Sequence, residues 1–134
     1  MKALKIAVAV LFFSAVFTAC KKESTSSPST TTNITGTWEG KYGYDNDDSQ
    51  FFYSFKVKAD GTMEELDFSG DQIGEGTWIL SGNTFTATHH FLPPYNKTFI
   101  STATFDPATK KLKDGTWKYS DKPVDEGKWY MQKQ

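Results

Sequence analysis

Gln50-Phe51-Phe52-Tyr53-Ser54-Phe55-Lys56-Val57-Lys58-Ala59 runs directly into Asp60-Gly61. Phe51, Tyr53, Phe55, Val57 and Ala59 fall on one side of an extended chain; Phe52, Ser54, Lys56 and Lys58 fall on the other. Alternation with period two marks a strand with one buried face. Asp-Gly after such a run is a two-residue hairpin signal, because both positions tolerate positive φ.

The same grammar extends in both directions. Thr84 to Phe91 sets Phe85, Ala87, His89 and Phe91 against Thr84, Thr86, Thr88 and His90, and Lys97 to Phe105 aligns Phe99, Ser101, Ala103 and Phe105. Ser81-Gly82-Asn83 and Asp106-Pro107-Ala108-Thr109 read as turns, and Pro93-Pro94 and Lys122-Pro123 as longer loops. Eight strands follow, at 36–44, 51–59, 62–68, 75–80, 84–91, 97–105, 111–119 and 127–132, with no stretch of helical period. The expected fold is all-β: an eight-stranded antiparallel meander closed into a barrel, with a two-sheet sandwich as the alternative.

All four tryptophans share a setting: Gly36-Thr37-Trp38, Gly76-Thr77-Trp78, Gly115-Thr116-Trp117 and Gly127-Lys128-Trp129. The chain is too short for a propeller built on that spacing. A glycine two residues before a tryptophan shares its strand face and leaves room for a large ring, or lets the strand bend. These rings are read first as core and second as the lining of a cavity. Gly36-Thr37-Trp38 resembles the Gly-x-Trp opening of lipocalins and related calycin barrels. Residues 34–134 are similar to small lipocalin-like bacterial lipoproteins of the Bacteroidetes type, through Ala59-Asp60-Gly61-Thr62, Gly76-Thr77-Trp78, Gly82-Asn83-Thr84-Phe85-Thr86 and Gly127-Lys128-Trp129-Tyr130-Met131. That resemblance implies a barrel and no particular activity. Ile34-Thr35-Gly36-Thr37-Trp38 also looks like the start of avidin-type biotin binders, but the likeness ends after the first strand.

The opening of the chain is of another kind. Lys2 and Lys5 precede Ile6 to Ala19, 14 residues without a charge. Such a run reaches about 21 Å as a helix, short of the ~30 Å hydrocarbon core, and has the form of a secretory signal. Val16-Phe17-Thr18-Ala19-Cys20 resembles a lipobox, with phenylalanine in the usual leucine place. The resemblance implies cleavage before Cys20, the only cysteine, and a lipid on its sulfur. The expected organisation is a signal at 1–19, the lipidated cysteine with a Ser/Thr-rich disordered tether at 20–33, and a barrel at 34–134. The tether spans roughly 20 Å as a flexible coil. The destination is a cell-envelope membrane, expected to be the outer one.

Charge narrows the partners. The 15 basic residues are all lysine; less Lys2 and Lys5, and against 16 acids, they leave about −3 on the mature chain. Without arginine and with an acidic balance, nucleic acid is not an expected partner. His89 and His90 point to opposite faces of one strand, so they do not chelate one metal. Asp45-x-Asp47-x-Ser49 begins like a calcium loop but lacks its glycine and terminal glutamate. Glu64, Glu65, Asp67, Asp71 and Glu75 read as a solvated edge. No catalytic residue, metal site or cofactor is assigned, and the chain is not expected to be an enzyme.

Tyr42, Tyr44, Tyr53, His89 and Ser101 carry polar tips on inward faces. The candidate ligand-binding residues are Trp38, Tyr42, Tyr53, Trp78, His89, Trp117 and Trp129. Two functions follow. In one, the barrel holds a small apolar or amphipathic molecule. In the other, the barrel is solid and meets an envelope protein or glycan through its surface, where Phe52, Ile79, Ile100 and Tyr130 face outward. Interior volume separates them.

Overall fold

The structure, a computed structural model, describes residues 33–45 and 47–134; the signal, Cys20 and the tether through residue 32 lie outside the described residues. Eight strands follow in chain order: β1 (Gly36–Tyr42), β2 (Phe51–Val57), β3 (Thr62–Leu66), β4 (Gln72–Ser81), β5 (Thr84–Phe91), β6 (Thr98–Asp106), β7 (Lys111–Tyr119) and β8 (Gly127–Lys133). Each pairs antiparallel with the next, and β8 returns to pair with β1, Trp38 opposite Lys133 and Tyr42 opposite Trp129. The sheet is a closed meander barrel, which excludes the sandwich and is compatible with the lipocalin-like expectation. Closure also leaves no edge for the acidic residues of β3 and β4 to guard.

The two ends differ. Tight connections at 58–61, 82–83 and 107–110 gather at the end where β1 starts and β8 stops. Longer loops at 43–50, 67–71, 92–97 and 120–126 gather at the other, here called the upper end. Phe55, Val57, Met63, Phe85, Leu112 and Met131 fill the lower half, around the buried ring of Trp38. Ile34, also buried, closes that end, and its carbonyl accepts a 2.7 Å hydrogen bond from Trp38 Nε1.

Two expectations from β2 need correction. Phe51, read as inward, is half exposed at the upper rim, while the outward Ser54 is covered by its neighbours. The turn after β2 is also not a two-residue hairpin. Lys58 N donates to Thr62 O at 3.0 Å and Gly61 N to Lys58 O at 3.3 Å, so Ala59, Asp60 and Gly61 all lie in the loop. Gly61 has φ +85°, the left-handed residue that three-residue hairpins require. Asp60 Oδ1 steadies the turn by accepting from Thr62 N and Oγ1 at 2.9 and 2.6 Å. The extra loop residue shifts the register by one. Val57 pairs with Met63 and Phe55 with Glu65, so β3 turns Met63 and Glu65 inward and Glu64 and Leu66 outward.

The tryptophan settings interlock. Gly115 pairs with Trp129 and Trp117 with Gly127. A Cβ on Gly115 would stand 2.7 Å from the Trp129 ring, and one on Gly127 would stand 2.6 Å from Trp117 Nε1 and 2.0 Å from Gly43 O. Each glycine therefore vacates the space its partner's ring fills. Gly115→Ala and Gly127→Ala are each expected to lower unfolding free energy by about 3 kcal/mol, the upper end for overpacking against backbone. Ile79→Ala, at a side chain 65 % exposed on the outer face, should stay within about 0.5 kcal/mol. Urea denaturation of the three variants checks the contrast.

Candidate functional site

Above the filled half, the interior opens into a cavity of about 130 Å³. Its size matches an apolar cavity that accepts a benzene-sized molecule. Phe91, Phe99 and Trp117 form its walls, Tyr42, Tyr44 and Tyr119 its upper rim, and Tyr53, Glu65 and His89 its floor. Tyr44 is 46 % exposed, so the rim meets solvent. The rings brace one another edge to face: Tyr42 against Trp117 at 6.2 Å, Tyr44 against Trp117 at 5.3 Å, and Phe91 against Phe99 at 5.0 Å between centroids. Such pairs add about 0.5–1.5 kcal/mol each beyond area burial.

The floor is a polar network. Tyr53 Oη stands 3.2 Å from His89 Nε2 and 3.1 Å from Ser101 Oγ, and Ser101 Oγ is 3.1 Å from His89 Nε2. This triangle has three edges. With Nε2 unprotonated, the two hydroxyl protons can be placed on two of those edges; with Nε2 protonated, one hydroxyl proton has no acceptor within it. The count assigns the ring proton to Nδ1. That atom lies 3.0 Å from Glu65 Oε2, yet the two are not aligned for a hydrogen bond, and among the described residues neither has another partner. Glu65 is only 5 % exposed and His89 2 %.

Two glycines make the contact geometrically possible. Glu65 on β3 pairs with Gly74 on β4, and Gly76 on β4 pairs with His89 on β5. Adjacent strands are about 4.8 Å apart, so β3 and β5 are separated by roughly twice that. Side chains meet across the intervening strand because its inner face is bare there. A Cβ at Gly74 would sit 3.1 Å from Glu65 Cβ, and one at Gly76 would sit 2.7 Å from His89 Cβ.

Neighbouring carboxylates thus have opposite fates. Glu64 stays on the outer face, ion-paired with Lys58 and with Lys56 at 3.6 Å, and these lysines hold its carboxyl below the ordinary value. Glu65, expected to be solvated with the rest of the acidic stretch, is inside. The register of the 58–61 turn sends it there, and no lysine lies within ion-pair distance of it among the described residues.

Of the sequence candidates, Tyr42, Tyr53, His89 and Trp117 converge on the cavity. Trp38, Trp78 and Trp129 do not, which corrects the expectation that they share its lining. Trp38 lies in the lower core, and Trp78 stacks on Phe85 at 6.2 Å with its Nε1 donating to Lys58 O. Trp129 fills the space beside Gly115 and donates to Thr116 O at 2.9 Å. Trp117 also donates to backbone, to Gly43 O at 3.0 Å, while its ring reaches the cavity. Tyr44, Glu65, Phe91, Phe99 and Tyr119 complete the lining. The inward alternation of β5 and β6 already placed Phe91 and Phe99; Glu65 required the correct hairpin length. His90 is on the outer face near Glu75, at 3.7 Å. Among the described residues no group of three or more His, Cys, Asp or Glu side chains is arranged to hold a metal ion.

Fold and site together define a small closed β-barrel, filled below and hollow above, with an aromatic cavity over a buried carboxylate–imidazole pair. Comparison with protein-family models, curated proteins and solved structures finds no match for the chain.

The phenols of the site predict an alkaline limit. Burial, reinforced by Tyr44 and the Glu65 charge, pushes Tyr42 up to about 12. Burial, with the same charge behind it, pushes Tyr53 well above its ordinary value. In the unfolded chain both ionise near 10. Their contribution to stability is therefore complete below about pH 10 and is lost as pH rises toward and through 12. Thermal midpoints measured from pH 9 to 12 should fall across that window, and fall less steeply in Tyr53→Phe.

Proposed function

We propose that the mature chain is a lipid-anchored protein of a bacterial cell envelope, in the manner of the small lipocalin-like lipoproteins it resembles, and that its barrel binds one small amphipathic molecule. The cavity carries this reading: seven of its nine lining residues are aromatic or phenolic, and its floor is polar. Apolar walls with a few convergent polar groups are what a small-molecule site needs. The size restricts the buried part of the ligand to something near a single ring or a branched group of a few carbon atoms.

The hydroxyl–imidazole–carboxylate order of Ser101, His89 and Glu65 is also that of a nucleophilic relay. Its surroundings favour binding over catalysis. Ser101 is fully buried beneath Tyr53, its hydroxyl shared between Tyr53 and His89, and it sits mid-strand between β5 and β7. There it presents no free pair of backbone N–H groups to an oxyanion. A second reading, contact with an envelope protein or glycan, draws support from the half-exposed rings of Phe52 and Tyr130, which flank Lys41 on the outer face.

The anchor and the cavity are tested separately. Cys20→Ser in the full chain should abolish incorporation of a radiolabelled fatty acid; retained label would place the lipid elsewhere. For the cavity, the chain from Lys21 onward keeps every strand of the barrel. Native mass spectrometry of that chain purified from its own host should show an adduct of low mass. The adduct should weaken in Trp117→Ala, and a barrel that carries no adduct and takes up none from a host extract counts against the binding reading.

A further inference from the structure

The charge inside the cavity identifies the kind of molecule it fits. Among the described residues Glu65 is the only carboxylate in the lining, and no lysine lines the cavity with it. Hydrogen-bond counting makes His89 Nε2 an acceptor within the Tyr53–Ser101 triangle and puts a ring proton on Nδ1, which is not aimed at the carboxylate. The 3.0 Å approach of Nδ1 to Oε2 is off-line, leaving a buried carboxylate oxygen with no directed donor among the described residues. A buried charge in that condition is costly to keep, and a charge of opposite sign relieves it.

The aromatic lining carries the same preference. Tyr42, Tyr53, Trp117 and Tyr119 present aromatic surface, whose faces attract cations. The rim already shows this attraction toward a cation of the chain itself: Lys97 Nζ stands 5.5 Å from the centroid of the Tyr119 ring. Burial keeps the Tyr42 and Tyr53 phenols neutral at ordinary pH, so they supply hydroxyl dipoles without competing negative charge.

We propose that the cavity takes a small organic cation, a protonated or methylated amine, with its charge beside the Glu65 carboxylate and its carbon groups against the aromatic walls. This rests on the reading of the cavity as a ligand site and adds the charge of the ligand. An anion would meet the Glu65 carboxylate with no lysine within ion-pair distance of it among the described residues, Lys97 standing at the rim over Tyr119. A neutral molecule of equal shape would leave the carboxylate as it stands.

Three probes of nearly equal shape separate these cases: choline, 3,3-dimethylbutan-1-ol and 3,3-dimethylbutanoate. Each is titrated calorimetrically into the chain from Lys21 onward at neutral pH. Choline should bind tighter than the alcohol by roughly tenfold or more, the scale of a desolvated cation–aromatic contact with a carboxylate behind it. The butanoate should bind weakest. Glu65→Gln should bring choline down to the level of the alcohol and leave the alcohol unchanged. Glu65→Asp should keep the order.

An alcohol or butanoate that binds as tightly as choline overturns the inference and leaves the cavity reading standing; the wild-type series decides this even if the Glu65 variants do not fold. Choline affinity unchanged in a folded Glu65→Gln also overturns it. Absence of binding by all three overturns both. Adding phosphatidylcholine vesicles to the choline titration distinguishes sources of the ammonium: competition assigns a lipid headgroup, and its absence assigns a free amine.

Discussion

The upper half of this barrel depends on a strand without side chains. Where Gly74 and Gly76 face the interior, β4 contributes only backbone, and residues two strands apart come into contact. Fill either position and Glu65 or His89 must move, because the added carbon would lie within about van der Waals contact or closer of each. The hollow, the buried acid and the imidazole above Ser101 all follow from that bare strip. The lower half is built on the opposite arrangement, in which glycines on β7 and β8 are filled by rings from the facing strand. One residue type thus makes space in both halves, and the neighbours decide whether it is occupied.

The architecture was legible because alternation and turn residues agree along the chain. Phe51 to Val57, Thr84 to Phe91 and Thr98 to Phe105 all read as half-buried strands, and the eight strand positions lie within a few residues of those observed. The exception was β3, where Leu66 and Phe68 on one face competed with Met63 on the other. Hydrophobic pattern alone could not choose between them. The choice came from one residue of loop, since Gly61 at φ +85° makes a three-residue turn and reverses which face points in.

The site was legible in part for a related reason. Tyr42, Tyr53, His89 and Trp117 were found because aromatic and polar groups on an inward face are conspicuous. Trp38, Trp78 and Trp129 looked alike in sequence, each with its glycine two residues before it. Height along the barrel separates them from Trp117, and period two carries no information about height. Glu65 stood among acids that all looked solvated. Its tell was the Gly74-x-Gly76 spacing on the following strand, which leaves a gap beside whatever faces it.

The start of β1 and the end of β8 are neighbours at the tight-turn end, where Lys133 Nζ donates to Asn33 O at 2.9 Å and Gln134 N to Thr37 O at 3.0 Å. The cavity rim lies at the other end, among the longer loops. Asn33 and Gln134 therefore both stand at the filled end of the barrel. Tension applied through the two termini would separate β1 from β8 one hydrogen bond at a time, as a zipper opens, because the strands are antiparallel and both are gripped at the same end. Under that load the seam that opens is the one that closes the barrel.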